Sequence, residues 1–141
     1  MTKDIIQIFQ ETWSSKQVAE FSLSALEKQG KRALSLKEED GGLYLDPQGN
    51  KCTVGLLLPE NSKILGFGNK DILQIINTSL DIDEDEFEAI YNYQEILQEL
   101  QIYHDSLEDA NWACCVNLIL YVGRDRLSSL MATLKQGENK E

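Results

Sequence analysis

The amino-acid sequence predicts a mainly α-helical protein of the α+β class, in which five or six helices pack with one small antiparallel β-hairpin. Three observations support this prediction. Apolar residues recur at helical spacing over most of the chain. Residues that cap helices stand where these patterns begin, and glycines stand where they end. Both prolines, Pro47 and Pro59, lie in one turn-rich segment between short apolar runs.

Two helices are predicted before the turn-rich segment. Apolar residues within residues 4–13 have the spacing of a short amphipathic helix. Ser14 and Ser15 are suited to begin a second helix, because a serine hydroxyl accepts a hydrogen bond from a free backbone N–H group. Gly30 ends this helix, since glycine adopts the left-handed conformation at little cost.

The turn-rich segment predicts the hairpin. Residues 43–45 and 51–54 form its two strands, and residues 46–50 join them. Pro47 presets one backbone angle of the turn, and Gly49 permits a positive φ. Because an isolated two-stranded hairpin is marginally stable, we expect it to pack against the helices.

Four further helices are predicted in the rest of the chain. They cover residues 70–80, 83–103, 106–122 and 124–135. Asn69 caps the first of these helices, and Asp83 caps the longest one. The longest helix carries one apolar stripe, formed by Ile90, Tyr93, Leu97, Leu100 and His104. We expect a single globular domain over residues 1–135 and a flexible tail over residues 136–141.

Charge and cysteine content limit the classes of function. The chain has 141 residues, 24 of them acidic and 13 basic, and its net charge is −11. Such a chain repels nucleic-acid phosphates, so we expect no direct nucleic-acid binding. Three cysteines, two of them adjacent, and the lack of a signal peptide indicate a reducing compartment. Since no apolar run is long enough to cross a membrane, the sequence predicts a soluble cytoplasmic protein.

We expect neither a metal ion nor another cofactor. Asp81, Asp83 and Asp85 resemble the first ligands of a calcium loop. Glu86, however, stands where that loop needs a glycine, and Asn92 stands where it needs a glutamate. The acidic residues are better explained as favourable charges at the N-terminus of a helix. Three cysteines and one histidine without a close chelating pair do not form an ordinary zinc site.

The candidate partner-binding surface is the exposed face of the longest predicted helix. Glutamates on this face are Glu84, Glu86, Glu88, Glu95 and Glu99, and the predicted contact residues are Glu84, Glu88, Glu95 and Glu99. A negative surface of this kind complements a basic protein partner. The alternative is a solvated helix face that binds nothing.

A second candidate site combines the turn segment with the single histidine. Its residues are Tyr44, Lys51, Cys52, His104 and Asp105. Cys52, His104 and Asp105 have the residue types of a thiol nucleophile, its base and a residue that orients the base. The alternative is that the cysteine is a small buried residue and that the histidine is packed in the core.

The turn segment also resembles a motif of a family of small uncharacterised bacterial and phage proteins. The matching residues are Tyr44, Pro47, Gly49, Lys51, Cys52, Val54, Gly55, Leu57 and Pro59, together with Gln29-Gly30-Lys31, Leu100-Gln101, His104-Asp105 and Trp112. The family motif reads Cys-x-Tyr-Arg-Gly-x-x-Gly-x-Lys-Cys-Ala-x-Gly-Cys-Leu-Ile-Pro-Asp, and two of its cysteines are Gly42 and Leu56 here. The resemblance spans roughly residues 18–112 and implies a phage or mobile-element context without an established activity.

These observations predict an acidic, non-enzymatic protein-binding factor without catalytic residues, phage-associated and of a counter-defence type. A small-molecule or nucleotide-binding module, or a cysteine enzyme, centred on the turn segment and His104 is the first alternative. A self-assembling structural protein is the second, because the predicted helix is very apolar over residues 112–122 and offers a surface for homo-oligomers.

Overall fold

The computed structural model describes residues 3–33, 44–66, 71–78, 82–106 and 109–138. Within these ranges the chain forms seven α-helices: α1 (Ile5–Gln10), α2 (Ser15–Gln29), α3 (Ile72–Thr78), α4 (Glu84–Asn92), α5 (Gln94–Asp105), α6 (Val116–Val122) and α7 (Arg124–Glu138). Three short 3-10 helices, Gly55–Leu57, Lys63–Gly66 and Asp109–Trp112, lie between them. The described residues are therefore mainly helical, as predicted, but they contain no β-strand, so the α+β class is wrong.

The ends of α1 and α2 follow from local hydrogen bonds. Asp4 and Gln7 form a capping box at the start of α1, and Ser14 and Gln17 form another at the start of α2. Gly30 ends α2 in the left-handed conformation, with φ at 78°. The two helices predicted for this region are confirmed. Their start and stop signals lie within a few residues of the helix ends, which makes them predictable from the sequence.

The predicted β-hairpin over residues 43–45 and 51–54 is the principal error. A single antiparallel bridge joins Leu45 to Lys51, and no strand extends from it in the described residues. Residue 43 lies outside those residues. The pairing stops because the chain curls, shortly after the bridge, into the 3-10 helix Gly55–Leu57. The apolar run that follows the bridge therefore enters the core as a helical turn.

The long helix predicted over residues 83–103 is two helices, α4 and α5, which are separated at Tyr93. The side-chain hydroxyl of Tyr93 donates to the carbonyl oxygen of Trp13 at 2.8 Å, which ties the break to the loop between α1 and α2. The predicted apolar stripe is confirmed, because all five of its members are buried: Ile90, Tyr93, Leu97, Leu100 and His104.

The helix predicted over residues 106–122 is also divided. The 3-10 helix Asp109–Trp112 and a turn precede α6, and residues 107 and 108 lie outside the described part of the chain. Trp112 is buried, and its ring makes an edge contact with Tyr103 at 5.7 Å between ring centroids. This contact packs the 3-10 helix Asp109–Trp112 against α5.

The last helix continues beyond its predicted end at residue 135. Helix α7 reaches Glu138, so part of the expected tail is helical. A Cβ atom on Gly137 would lie 2.7 Å from the carbonyl oxygen of Gly30, which means that the last turn of α7 lies directly on the end of α2. Glycine at this position permits the close approach of the two backbones.

Helix α5 lies at the centre of the fold, where it packs against α2, α3, α4 and α6, while α1 packs against α4. Two buried hydroxyl groups connect the turn segment to this centre. Ser22 on α2 donates to the carbonyl oxygen of Thr53 at 2.8 Å, and Thr53 donates to that of Leu100 at 3.0 Å. The turn segment is thereby held between α2 and α5.

Candidate functional site

Asp46 organises the turn that was predicted from the sequence. Its Oδ1 atom accepts from the backbone N–H groups of Gln48 at 2.9 Å and Asn50 at 2.8 Å, and its Oδ2 accepts from the Asn50 amide at 3.1 Å. Gly49 has a φ of 90°, a conformation that favours glycine. The turn is present, although neither flanking strand forms in the part of the chain that the structure describes.

Gly55 brings two parts of the turn segment together. A Cβ atom at this position would overlap the carbonyl oxygen of Tyr44. The backbone N–H of Gly55 donates to the Sγ atom of Cys52 at 3.2 Å. The close approach needs glycine, and this accounts physically for a glycine at this point of the sequence.

Cys52 does not have the properties of a nucleophile. Its side chain is 4% exposed, and burial raises the pKa of the thiol to about 12. The thiol is therefore protonated at neutral pH, whereas the thiolate is the form that attacks an electrophile. The structure supports the interpretation of Cys52 as a small buried residue.

Tyr44 is a buried connector between three elements. The Gln101 amide of α5 donates to the Tyr44 hydroxyl at 2.7 Å, and the Gln101 carbonyl oxygen accepts from the N–H of Ile72, the first residue of α3, at 3.0 Å. Burial is the main cause that raises the pKa of Tyr44 well above its ordinary value. The hydroxyl therefore stays protonated and positions α3 and α5.

Lys51 is fixed through its backbone and not through its ammonium group. The Gln29 side chain accepts from the Lys51 N–H at 2.9 Å and donates to the Lys51 carbonyl oxygen at 2.8 Å. Gln29 also donates to the carbonyl oxygen of Lys31 at 2.7 Å. The Gln29 amide takes the position that a neighbouring strand would occupy, and this satisfies the backbone at the bridge without a sheet.

His104 is completely buried, and both of its ring nitrogens are engaged. The backbone N–H of Ala33 donates to Nε2 at 3.2 Å, so Nε2 carries no proton. Nδ1 lies 2.8 Å from Oδ1 of Asp105 and donates its proton to that carboxylate. Because neither nitrogen is left for the Cys52 thiol, His104 is not placed to act as its base.

Arg32 completes this junction, and no pattern in the sequence points to it as a site residue. Its guanidinium donates to the carbonyl oxygens of His104 at 2.8 Å and Ser106 at 2.7 Å, at the C-terminal end of α5. The side chain is 5% exposed. A positive charge at a helix C-terminus is favourable, so Arg32 stabilises the end of α5 from a distant part of the chain.

The structure brings only some of the five residues of the second candidate site together. The negative charge of Asp105 contributes to raising the pKa values of both Tyr44 and Cys52, which places all three groups within electrostatic range. Lys51 faces Gln29 through its backbone, and His104 is committed to Ala33 and Asp105. The arrangement is that of a buried structural junction.

The acidic face divides into exposed and engaged residues. Glu84, Glu88 and Glu95 are exposed, whereas Glu86 is 3% exposed, so the expectation that Glu86 lies on the outer face is wrong. Glu99 is half-buried, and its two oxygens accept from the Asn117 amide at 2.9 Å and from the Leu118 N–H at 2.8 Å.

An exposed aromatic residue lies on the same helix as the exposed glutamates. Tyr91 is 55% exposed, and its ring stacks on that of Phe87 with 6.3 Å between ring centroids. Glu84, Glu88 and Tyr91 are at positions i, i+4 and i+7 of α4, so they share one helix face. We call these three residues the α4 face.

The metal predictions concern Asp81, Asp83 and Asp85. Asp83 caps α4 by accepting from the Glu86 N–H at 3.2 Å, while Asp81 lies outside the described residues. Asp85 stands in the first turn of α4. In the described ranges, no group of three or more histidine, cysteine or acidic side chains is arranged to hold a metal ion.

Comparison with protein-family models, curated proteins and solved structures finds no significant match. The resemblance to small bacterial and phage proteins therefore stays a prediction. None of the helices in the described part of the chain is long and apolar enough to cross a membrane.

Proposed function

We propose that this chain is an acidic, non-enzymatic protein-binding factor that binds a basic partner through the α4 face. The single observation that carries the proposal is the exposed Tyr91, held by Phe87 and sharing its face with Glu84 and Glu88. Tyrosine is enriched at the energetic centres of protein interfaces, since it offers a large rigid surface with a polar end.

Charge favours a basic partner. Glu84 and Glu88 accept charge-assisted hydrogen bonds from lysine or arginine, and the Tyr91 ring accepts a cation over its face. The net charge of −11 accelerates the encounter with a positive protein by electrostatic steering. Glu95 lies on the first turn of α5 and extends the negative surface, whereas Glu99 accepts a hydrogen bond from the backbone of α6.

The non-enzymatic part of the proposal rests on the junction around His104. The thiol of Cys52 is buried and protonated, and the imidazole of His104 is committed to Ala33 and Asp105. A cysteine enzyme or a ligand-binding module at the turn segment would need these groups to be accessible. A counter-defence role in a phage or mobile element is the biological setting that we propose for such a binding factor.

A pull-down from an extract of the cells that naturally contain the chain tests the proposal. The double variant Glu84→Lys/Glu88→Lys reverses the charge of the α4 face, and Glu20→Lys/Glu27→Lys makes the same change at exposed positions of α2. We expect the first variant to lose about tenfold or more in partner affinity, and the second to keep it. Equal binding by the two variants would discard the α4 face.

Self-assembly is the second candidate function, and a separate observation favours it. Val116 and Leu120 are 66% and 77% exposed, and they lie one turn apart on α6, which carries no charged residue. A strongly acidic chain associates with itself most readily through an uncharged apolar surface. Light scattering of the purified protein, compared with Leu120→Glu, tests this candidate, and a monomer at micromolar concentration would reject it.

A further inference from the structure

Two adjacent cysteines, Cys114 and Cys115, form a thiol pair outside both candidate sites. They lie in the turn between the 3-10 helix Asp109–Trp112 and α6. Cys114 is exposed, whereas Cys115 is completely buried. Because the two residues do not share a helix, their side chains are not held about 100° apart, as consecutive residues of a helix are.

A tight backbone turn brings the two thiols together. The N–H of Val116 donates to the carbonyl oxygen of Cys114 at 2.9 Å. Cys115, between them, has a φ of −79° and a ψ of 68°, which are the angles of an inverse γ-turn. In this turn the Cys114 thiol forms a hydrogen bond with the Cys115 thiol. One thiol is therefore open to solvent, and the second is in contact with it.

The buried thiol of Cys115 is held by α5. It donates to the carbonyl oxygen of Glu99 at 3.4 Å. Burial is the largest cause that raises the pKa of Cys115 to about 12, and the neighbouring Cys114 raises it further. The Cys115 thiol therefore stays protonated at neutral pH and does not begin a reaction with a reagent in solution. Cys114 is the thiol that such a reagent meets first.

The pair has the arrangement of a reversible thiol switch. Redox-sensitive cysteines are accessible to solvent and often lie next to a second thiol that resolves the first product. Consecutive Cα atoms are about 3.8 Å apart, below the ~4.4–6.8 Å of ordinary disulfides. A disulfide between neighbours is therefore strained, and strained disulfides are the easily reduced, regulatory ones.

We propose that Cys114 and Cys115 are a redox-sensitive pair that a small disulfide, oxidised glutathione, converts to an intramolecular disulfide. The Cys114 thiolate attacks one sulfur of the reagent, whose S–S bond breaks, and one glutathione thiolate leaves. Cys115 then loses its proton and attacks the Cys114 sulfur, so that the second glutathione thiolate leaves. The two thiolates take up the two protons that the cysteines released. The pair is oxidised by two electrons, and the reagent is reduced to two thiols.

Oxidation of the pair changes the contact between α5 and α6. Cys115 directly precedes α6, and its thiol proton is the one that the Glu99 carbonyl oxygen accepts. Formation of the disulfide removes this proton and with it one contact that holds the start of α6 on α5. The proposal does not depend on the function proposed for the α4 face.

Mass spectrometry of the purified, reduced chain after incubation with oxidised glutathione at pH 8 tests the proposal. We expect a chain that has lost two hydrogens and carries no glutathione, with the disulfide in the peptide that contains both cysteines. The second step is slow because little of Cys115 is ionised, and excess reduced glutathione should reverse the reaction. A glutathione adduct that persists on Cys114, a disulfide to a second copy of the chain, or three thiols that remain free would each overturn the proposal.

Matched variants assign the two roles. Cys115→Ser keeps a donor for the Glu99 carbonyl oxygen and should accumulate the glutathione adduct that the wild type resolves. Cys114→Ser lacks the exposed thiol and should lose its remaining thiols about tenfold more slowly or less. Cys52→Ser changes the third, buried cysteine and should leave the product unchanged. The wild-type product is read directly, so a variant that folds poorly does not remove the test. Loss of the adduct from Cys115→Ser would assign the second thiol to Cys52 and contradict the proposal.

Discussion

Glu99 was predicted to contact a partner, but both of its carboxylate oxygens accept hydrogen bonds from α6. Substitutions at this position can therefore tell a structural role from a role in partner binding. Helix α6 begins after Cys115, whose side chain makes no capping hydrogen bond. Glu99 of α5 replaces the missing cap by accepting from the Leu118 N–H, which belongs to the third residue of α6. Replacing Glu99 with alanine should therefore destabilise the fold.

The magnitude follows from the groups left behind. Leu118 is completely buried, so its N–H would lose its acceptor without access to water, at a cost of about 1–3 kcal/mol. Removal of a negative charge from the helix N-terminus adds about 0.3–1 kcal/mol. We expect Glu99→Ala to lower the free energy of unfolding by about 1.3–4 kcal/mol, a substantial part of the ~5–15 kcal/mol of a typical domain. Glu99→Gln keeps one acceptor and should cost about half as much.

Urea denaturation followed by circular dichroism at 222 nm (a routine helix signal) measures this free energy. The control is Glu95→Ala, which removes the same group from an exposed position one turn earlier on α5. This variant should change the free energy by less than ~0.5 kcal/mol. Equal stability of Glu99→Ala and Glu95→Ala would refute the capping role and return Glu99 to the candidate partner surface.

Three further predictions concern the turn segment, the thiols and the carboxyl group of Glu86. Gly55→Ala should cost about 1–3 kcal/mol, because the new methyl group overlaps the Tyr44 carbonyl, whereas Gly66→Ala has free space and should stay within ~0.5 kcal/mol in the same urea assay. Only the exposed thiol of Cys114 should react rapidly with a disulfide reagent at pH 8. Burial raises the pKa of the other two thiols to about 12, so roughly one in ten thousand of them is ionised at this pH. Rapid reaction of all three thiols would contradict their burial. Burial raises the pKa of Glu86 in the folded state, so the folded chain binds more protons than the unfolded chain and loses stability as pH rises above the ordinary glutamate pKa. Glu86→Gln removes this cost, so it should raise the melting temperature more at pH 7 than near pH 4. An increase in melting temperature that is independent of pH would contradict this.

The parts of the fold that the sequence predicts well are those with local causes. Asp4, Ser14 and Gly30 act on backbone groups a few residues away, and the helices they delimit are confirmed. The buried stripe from Ile90 to His104 was visible because helical spacing survives the break at Tyr93.

The errors share a different cause, which is contact between distant parts of the chain. The predicted hairpin stops after one bridge because the chain curls into a 3-10 helix, and distant groups hold this turn: Thr53 bonds Ser22 on α2 and Leu100 on α5. The start of α6 depends on Glu99, and no local pattern identifies that residue as a cap. Arg32 reaches carbonyl groups more than 70 residues further along the chain.

The candidate sites show the same limit. The residue types of Cys52, His104 and Asp105 predicted a thiol nucleophile, its base and a carboxylate that orients the base. Whether these groups can react depends on which of their atoms are not already held by hydrogen bonds. The backbone N–H of Ala33 donates to the nitrogen of His104 that a thiol would need. Almost every residue carries a backbone N–H, so a pattern of residue types does not reveal this contact. Exposure likewise separates Glu84 and Glu88 from Glu86, although all three stand within five residues of one another.

Site-specific photocrosslinking at position 91 tests recognition through the α4 face most directly. The full chain would carry benzoylphenylalanine in place of Tyr91 and would be irradiated in an extract of its native cells. We predict one cross-linked protein with a basic surface, whose yield falls when Glu84→Lys/Glu88→Lys is added and stays unchanged with Glu20→Lys/Glu27→Lys. A product that forms equally well after reversal of the α4 charges, or no specific product at all, would contradict it.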